Sequence, residues 1–405
     1  MKKYWWISWM FFAMFLTSCD FLFGRKDDDT VKDILTQGAI DPNLVPNTVG
    51  YVPVLPTWGG FVQPHDVFVG YDEMVYIADD RGVHILDQKG TLHRSIPFSG
   101  ATKVSQDRRM NTYVCARIAY NNNGTTYQLP AVFVLRNGSG TNPEFIDTLI
   151  HPFCDNSRNN TNFRGVLDEQ VEFAGVSFMH DNTFYLARRG PTNSLTSSAR
   201  PDNCVLSFDA FRNNSGYAQG LSPVGTSLKS CLSPTGITTF ASPPQVAFGM
   251  SQSTDFLLLQ GDPAAEYKTL WIKKFEDPDL GIQYTENPGM LNFDTSKSSR
   301  FLYDSYRFGK PMDVCFAPDE TQYLFVVDAA KDSVFQFTFR GFEGVNAPPT
   351  FTDKKQIIAS FGGTGSGPAQ FRNPEGVAYF KRVLYVADTG NGRIVRFKLS
   401  TDLER

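Results

Sequence analysis

A unit of short apolar runs and turns recurs along this chain, and it constrains the fold more than any other feature of the sequence. The clearest copy spans residues 358–399, where a glycine-rich turn and a proline lead into three apolar runs. Weaker copies over residues 64–86 and 311–337 keep the same order, and in each copy the second run ends in an aspartate. The proline and aspartate pairs are Pro64 and Asp79, Pro311 and Asp328, and Pro374 and Asp388. Repeats of this kind bury a shared core by packing on their neighbours, so we expect them to form one domain.

Degenerate copies in the middle of the chain bring the total to about six units. They comprise Thr102–Arg117 with Ala131–Arg136, Phe173–Arg188 with Cys204–Asp209, and Gln245–Gln260 with Thr269–Phe275. The clearest copy, with its Pro374-Glu375-Gly376-Val377 opening and its Asp388-Thr389-Gly390-Asn391-Gly392 turn, closely resembles an NHL repeat. The resemblance implies an all-β fold, a six-bladed β-propeller of four-stranded antiparallel blades. We assign residues 48–400 to this propeller.

The last repeat supplies only three strands before it ends near Leu399. A fourth strand is needed to complete the final blade and to join it to the first. Val49–Trp58 is strand-like and belongs to no repeat. We therefore expect this N-terminal segment to supply the outer strand of the last blade and so to remove an exposed sheet edge.

The N-terminus predicts export and a lipid anchor. Residues 1–18 have the layout of a signal peptide, because two lysines precede an apolar run that is too short to span a membrane. The run closes with Leu16-Thr17-Ser18-Cys19, which resembles the bacterial lipobox. The resemblance implies acylation of Cys19, with palmitate as one of the acyl chains, and a tether over residues 19–47 that holds the propeller on a membrane. An ordinary signal peptide that contains a cysteine is the alternative.

Lys26-Asp27-Asp28-Asp29 in the predicted tether resembles the surface-export signals of Bacteroidota lipoproteins. The resemblance implies an outer-membrane lipoprotein, and the sequence leaves open whether it faces the periplasm or the cell surface. The formal net charge of −4 argues against a nucleic-acid partner, which would favour a basic surface.

Five cysteines follow Cys19. Cys115 and Cys315 lie in apolar runs, and we expect buried thiols there. Cys154, Cys204 and Cys231 lie in loop-rich segments, where export permits one disulfide among them, with the pairing left open. The absence of a CxxC motif or a Cys/His cluster predicts no zinc site, and we expect no cofactor.

Three polar insertions follow second strands in the middle blades, at Ile118–Pro130, Arg189–Asn203 and Gly261–Lys268. In a propeller these loops share a face with the segments that enter the inner strands, and loops on a rigid scaffold commonly bind ligands. The candidate binding face comprises His65, Asp79, Arg117, Tyr120, Tyr127, Arg188, Arg189, Tyr267, Asp328 and Asp388. Two interpretations of the residues that end second strands are open. The aspartates accept hydrogen bonds from the following turns, or all these residues form a charged ring at the channel mouth.

The sequence predicts no catalytic set. Gln63-Pro64-His65-Asp66 resembles a zinc-binding motif of the peptidyl-hydroxyglycine amidating lyases. Met312 and Glu375 stand at the matching places in other repeats, and one histidine cannot supply the three or four ligands that zinc prefers. We therefore predict that the chain is not an enzyme.

The favoured function is that of a docking module for an envelope protein of the outer-membrane machinery. The alternative is a surface lipoprotein that binds a glycan or a peptide in nutrient capture. Docking predicts an extensive apolar patch outside the blades. Glycan binding predicts a small groove lined by aromatic and carboxamide side chains, and catalysis predicts carboxylates or histidines that converge at the channel mouth.

Overall fold

The computed structural model describes residues 40–45, 49–158, 163–196, 199–243, 252–291, 300–347 and 355–403. The predicted signal peptide, Cys19 and most of the predicted tether lie outside these residues. Within them, 24 strands form six four-stranded antiparallel sheets, which confirms the predicted six-bladed β-propeller. The same ranges contain no helix with both the length and the apolar character needed to cross a membrane.

Each blade runs from an inner strand at the central channel to an outer strand at the rim. Blades 1 and 2 contain β2 (Asp66–Val69), β3 (Val75–Asp79), β4 (Gly82–Leu86), β5 (Leu92–Pro97), β6 (Lys103–Gln106), β7 (Thr112–Asn122), β8 (Thr125–Arg136) and β9 (Glu144–Ile150). Blades 3 and 4 contain β10 (Glu172–Phe178), β11 (Phe184–Arg189), β12 (Cys204–Phe208), β13 (Asn214–Tyr217), β14 (Pro234–Thr239), β15 (Phe256–Gln260), β16 (Thr269–Asp277) and β17 (Gly281–Glu286). Blades 5 and 6 contain β18 (Pro311–Phe316), β19 (Leu324–Asp328), β20 (Ser333–Phe337), β21 (Phe361–Gly362), β22 (Gly376–Phe380), β23 (Val383–Asp388), β24 (Arg393–Leu399) and β1 (Tyr51–Gly59). The described helices are α1 (Val166–Glu169) and α2 (Pro288–Leu291), with 3-10 turns at Pro42–Leu44, Thr389–Asn391 and Ser400–Asp402.

The second strands of the blades lie in the middle of the packed layers. β3, β15, β19 and β23 are buried along their whole length. Strands that are covered on both faces show continuous apolar runs rather than alternation, as these sequences do. Aromatic rings fill the space between blades, and Phe325 of β19 is stacked on Tyr379 of β22 with ring centroids 5.4 Å apart.

The six inner strands stand side by side around the channel, and each contacts the next. Glycine allows two of the closest approaches. A Cβ on Gly376 would lie 2.7 Å from the Cα of Asp66 in the neighbouring blade, and one on Gly236 would lie 3.0 Å from the carbonyl oxygen of Met312. A larger residue at either position would push adjacent blades apart.

Polar side chains at the inner strands connect one blade to the next. Asp66 accepts a hydrogen bond from Val104 N–H at 2.8 Å, and Asp313 accepts one from Val377 N–H at 2.9 Å. The Ser177 hydroxyl accepts a hydrogen bond from Thr239 N–H at 2.8 Å. These bonds cross the boundaries between blades 1 and 2, 5 and 6, and 3 and 4, so they help to set the spacing of the blades.

The prediction that the N-terminal segment completes the last blade is confirmed. β1 pairs antiparallel with β24, from Tyr51 opposite Leu399 to Gly59 opposite Arg393. Trp58 of β1 is 7% exposed, and the Arg396 guanidinium lies 4.5 Å from its ring centroid. The outer strand of blade 6 therefore comes from the opposite end of the chain to its other three strands, and this closes the ring.

The insertion predicted as a loop at Ile118–Pro130 is instead a β-hairpin. β7 and β8 continue pairing through this segment as far as Asn122 and Thr125. The tip is Asn123-Gly124, with φ angles of 53° and 87°, and this dipeptide favours the two-residue turns that join hairpin strands. The prediction of a loop was wrong because it gave weight to polarity and missed the turn signal.

The predicted start of blade 4 was also wrong. The inner strand is Pro234–Thr239, which lies upstream of the predicted start at Gln245. Residues 244–251 lie outside the described residues. The second strand of this blade, Phe256–Gln260, does fall where the repeat predicted it.

A buried network of charged side chains holds the long loop between β11 and β12. Its members are His151, Asp155, Arg158, Arg164, Asp168, Arg188, Arg200 and Asp202. Arg188 is fully buried, pairs with Asp155 at 2.9 Å and donates to the carbonyl oxygen of Pro201 at 2.8 Å. Asp202 accepts a hydrogen bond from Thr192 N–H at 2.9 Å. Both ends of the loop are thereby fixed to the blade.

Burial and charge act in opposite directions on the ionisable groups of this network. Burial raises the pKa of Asp155, but the charge of Arg188 and hydrogen bonds from Ser157 outweigh it and lower the pKa below its ordinary value. Burial lowers the pKa of His151 to about 4, so this imidazole is neutral near pH 7 and donates to Asp168 across 2.9 Å. Three aspartates thus face the four arginines of the network, and the neutral histidine adds no charge.

We expect Trp58→Ala to lower the free energy of unfolding by about 3–5 kcal/mol, because it removes a large buried ring from the closing strand. Phe211→Ala is the matched control, since Phe211 is 74% exposed and its loss should cost less than about 0.5 kcal/mol. Urea unfolding of the two variants and the unmodified chain measures both effects. Equal destabilisation by the two substitutions would contradict the assigned role of β1.

We expect Asp155→Asn to lower the free energy of unfolding near pH 7 by about 3–5 kcal/mol, because Arg188 would keep a buried charge without a carboxylate partner. Glu144→Gln removes a carboxylate from an exposed pair with Arg136 and should cost less than about 1 kcal/mol. Because folding lowers the pKa of Asp155, its contribution is complete above its ordinary pKa and is lost as the pH falls through the folded-state value. Unfolding curves near pH 7 and near pH 3 test this, and a difference that does not shrink in acid would refute it.

Candidate functional site

The central channel is blocked part-way by one lysine. The Lys103 ammonium, in blade 2, lies 3.4 Å from an Asp66 oxygen in blade 1 and 3.2 Å from an Asp313 oxygen in blade 5. Blades 2 and 5 are opposite each other in a ring of six, so one side chain crosses the channel. The space above Lys103 is therefore a cup with a floor rather than an open tunnel.

The protonation of this floor follows from burial and mutual charge. Burial raises the pKa of Asp66 to about 7; Lys103 opposes the shift, and the nearby Asp313 adds to it. Burial lowers the pKa of Lys103, but the two aspartates outweigh burial and raise it. The ammonium stays protonated near neutral pH, so Lys103 acts as a cationic link between blades and not as a nucleophile.

The cup above the floor, here called the channel mouth, has a volume of about 350 Å³. Every blade contributes to its wall. The polar and charged side chains that line it are His65, Thr102, Lys103, Arg117, Glu172, Arg189, Thr235, Lys310 and Glu375, with Met312 beside them. Small-molecule sites are concave and combine apolar walls with a few convergent polar groups, and the mouth shares the concavity and the convergence.

His65 lies where blade 6 meets blade 1. Its Nδ1 lies 2.8 Å from a Glu375 carboxylate oxygen and its Nε2 lies 2.9 Å from an Asp80 oxygen. Burial lowers the pKa of His65, but the two carboxylates outweigh burial and raise it. Both ring nitrogens are engaged, so His65 fixes the orientation of Glu375 in the mouth.

The aspartates that end second strands support the mouth from below and are not part of its surface. Asp79, Asp328 and Asp388 have no exposed surface. Asp328 accepts hydrogen bonds from Gly309 N–H at 2.6 Å and Lys310 N–H at 2.9 Å. Asp79 and Asp388 bind Val62 N–H and Arg372 N–H in the same way, at 2.9 Å and 2.8 Å. Each aspartate thus fixes the segment that enters its inner strand, and with it the mouth residue on that segment.

The two predicted arginines at the end of β11 have different surroundings. Arg188 is buried in the charged network, where no ligand can reach it. Arg189 lines the mouth, and its Nε donates to a Glu172 carboxylate oxygen at 2.9 Å. Arg117, at the matching place in blade 2, also lines the mouth and donates to the carbonyl oxygens of Gln128 and Glu169 at 2.9 Å and 2.7 Å.

A second cavity adjoins the mouth across the Arg189–Glu172 pair. This amide groove, also of about 350 Å³, is lined by Gln170, Glu172, Arg189, Gly190, Pro191, Asn193, Asn203, Ser233 and Asp262. Two of the predicted insertions, Arg189–Asn203 and Gly261–Lys268, supply much of its wall. Its carboxamides meet one part of the expectation for glycan binding, but none of its lining residues is aromatic.

The predicted tyrosines lie beside these cavities and not in them. Tyr120 and Tyr127 form an aromatic cluster on the β7–β8 hairpin with Phe163, with ring centroids 5.4 Å and 5.1 Å from the Phe163 ring. Tyr267 is partly buried against the core of blades 3 to 5, and its carbonyl oxygen accepts a hydrogen bond from Gln260. The structure therefore brings together His65, Arg117 and Arg189, and it leaves the other predicted residues out of the mouth.

Sequence reasoning missed Lys103, Glu172, Lys310 and the aspartates at the floor. A signal for the floor was present, because Asp66 and Asp313 stand at one repeat position, two residues after the opening proline. Lys103 and Lys310 carry no such signal.

The described residues contain no group of three or more His, Cys, Asp or Glu side chains that could hold a metal ion. The disulfide considered among Cys154, Cys204 and Cys231 does not form, since all three are free thiols. Burial raises the pKa of the Cys154 thiol to about 12, so it remains a neutral thiol.

Residues 371–397, in the last blade, match the NHL repeat family model. No curated protein sequence matches the chain. A Bacteroides thetaiotaomicron protein of unknown function is 15% identical, with 88% of this chain and 73% of that one covered and a TM-score of 0.48. An auxiliary nutrient binding protein from Bacteroides ovatus is 11% identical, with 87% and 77% covered and a TM-score of 0.47. Virginiamycin B lyase from Staphylococcus aureus is 8% identical, with 87% and 99% covered and a TM-score of 0.42.

The prediction that the chain is not an enzyme was wrong to exclude catalysis, because the solved structures that share this architecture include the lyase. The structure also shows histidine and carboxylate side chains converging at the channel mouth, the feature expected of a catalytic site. The identities are too low for these likenesses to assign an activity, and what they share is the fold. The chain is a six-bladed β-propeller that carries an NHL repeat in its last blade.

Proposed function

We propose that the channel mouth and the amide groove together bind a saccharide. The observation that carries this proposal is the convergence of polar side chains from all six blades on one cup with a closed floor. The cup and the adjoining groove are each about 350 Å³, within the range of small-ligand sites. A ligand that fills both would cross the Arg189–Glu172 pair.

The chemistry of the walls favours a ligand that is rich in hydroxyl groups. A hydroxyl donates one hydrogen bond and accepts others, so it needs both kinds of partner. The mouth offers donors at Arg189 and Lys310 and acceptors at Glu172 and Glu375. The groove adds the exposed amide of Gln170. Apolar residues, among them Pro130, Phe173 and Met312, also line the mouth, so the preference for a saccharide rests on the polar groups.

The site is presented, in this proposal, by a lipoprotein of the outer membrane. The support is the sequence Leu16-Thr17-Ser18-Cys19, which predicts lipidation of Cys19, and the charged run Lys26–Asp29, which resembles a surface-export signal. An orientation toward the cell surface would suit capture of external glycans, and one toward the periplasm would suit transfer after import.

Docking on an envelope protein is a second candidate, favoured by an apolar patch beside the mouth. The patch consists of a partly exposed aromatic cluster of Tyr120, Tyr127, Phe153 and Phe163 and of Val166 and Leu167, which follow Phe163 closely in the chain. Val166 and Leu167 on α1 are 59% and 43% exposed, although apolar side chains of this size are more often buried. Contiguous exposed apolar surface is typical of protein interaction sites.

We expect Arg189→Met to weaken saccharide binding by about tenfold or more, because it removes a charged donor shared by the mouth and the groove. Arg136→Met is the control. Arg136 also forms a surface ion pair with a glutamate, Glu144, but the pair joins the two outer strands of blade 2, β8 and β9. Glycan-array screening of the full chain, followed by calorimetric titration of the best ligand, measures the effect. Equal affinities of the two variants, or binding of peptides in place of saccharides, would refute the proposed site.

A further inference from the structure

The following inference rests on the proposed saccharide site and concerns the class of sugar that the site binds. We infer that the channel mouth selects acidic saccharides, whose carboxylate groups lie against Arg117 and Lys310 on opposite walls of the cup. Some of the charges inside the mouth are already paired, and others are not.

The carboxylates in and below the mouth already have hydrogen-bond or ion-pair partners. Glu172 accepts from Arg189, and Glu375 lies 2.8 Å from His65 and accepts from the Asn373 amide at 2.7 Å. The floor aspartates share Lys103. An acidic ligand would therefore not face an unpaired carboxylate on the wall of the mouth.

Two cations of the mouth have no carboxylate partner. The hydrogen bonds of the Arg117 guanidinium go to the carbonyl oxygens of Gln128, Glu169 and Val171, which are neutral. Lys310 is exposed, and its ammonium has no hydrogen-bond or ion-pair partner among the described residues. An anion that replaced water at either group would form a charge-assisted hydrogen bond.

The positions of these two cations favour a ligand with more than one acidic sugar. Arg117 belongs to blade 2 and Lys310 precedes the first strand of blade 5, so they lie on opposite walls. Four lysine or arginine side chains and two glutamates line the cup, so its lining has a basic excess although the whole chain carries a formal net charge of −4. A concave cationic area of this kind raises the local concentration of anions.

The test uses uronic-acid oligosaccharides with the detergent-solubilised full chain. Trigalacturonate and short oligomers of mannuronate and glucuronate are each compared with their methyl esters, which keep the hydroxyl groups and remove the charge. We expect at least one acid to bind about tenfold more tightly than its ester, and its affinity to fall when the salt is raised from about 0.05 M to about 0.5 M.

Substitutions identify the cation. Lys310→Gln should weaken binding of the acid by about tenfold and binding of the ester much less, because glutamine keeps a hydrogen-bond donor but not the charge, whereas Lys310→Arg should retain the preference. Lys274→Gln is the control, because Lys274 lies on β16 and does not line the mouth. Thermal unfolding of each variant shows whether the fold is kept.

The outcomes separate this inference from the proposed function. If acids and esters bind equally, or if Lys310→Gln has the same effect on both, selection of acidic saccharides is refuted and the saccharide site stands. If no saccharide binds but an acidic peptide does, the proposed function is refuted, and with it the sugar class inferred here. Binding of an acid that depends on both Lys310 and salt supports the inference.

Discussion

The pairing of β1 with β24 is the interaction on which the ring depends, because it joins the two ends of the propeller in one sheet. Other contacts hold blade 6 against blade 1. Thr389 donates to the carbonyl oxygen of Pro64 at 2.7 Å, and His65 bridges Glu375 and Asp80. His65 and Glu375 also line the mouth, so the residues that hold the ring closed shape the candidate site. Opening of this boundary would therefore deform the cup.

The blade architecture could be predicted from the sequence, whereas most of the candidate site could not, and the reason is physical. Strand order repeats with each blade and the Asp turn recurs in three of them, so the six-fold ring and its closing strand could be predicted from local patterns. The mouth is built from single residues of different blades, such as Lys103 and Lys310, which stand far apart in the chain and share no motif. Even where residues repeat, as with Asp79 and Asp388, the pattern cannot tell a buried acceptor of backbone hydrogen bonds from a residue that faces a ligand.

Arg188 and Arg189 show how strand geometry separates adjacent identical residues. Successive side chains of a strand point to opposite faces. Arg188 points into the charged network, where Asp155 compensates the cost of its burial, whereas Arg189 points to the mouth and keeps contact with water. The same side chain thus supports a loop at one position and can meet a ligand at the next.

The meeting of the two ends of the propeller has a consequence for how the domain can be combined with others. Ser400 N–H donates to the carbonyl oxygen of Gly50 at 2.8 Å, so the chain enters and leaves the ring at almost the same place. A domain with adjacent ends can be inserted into a surface loop of a host protein without spreading that loop, or reconnected so that it begins at another blade. Both connections of the propeller to another domain would therefore lie at one place, the rim of blade 6.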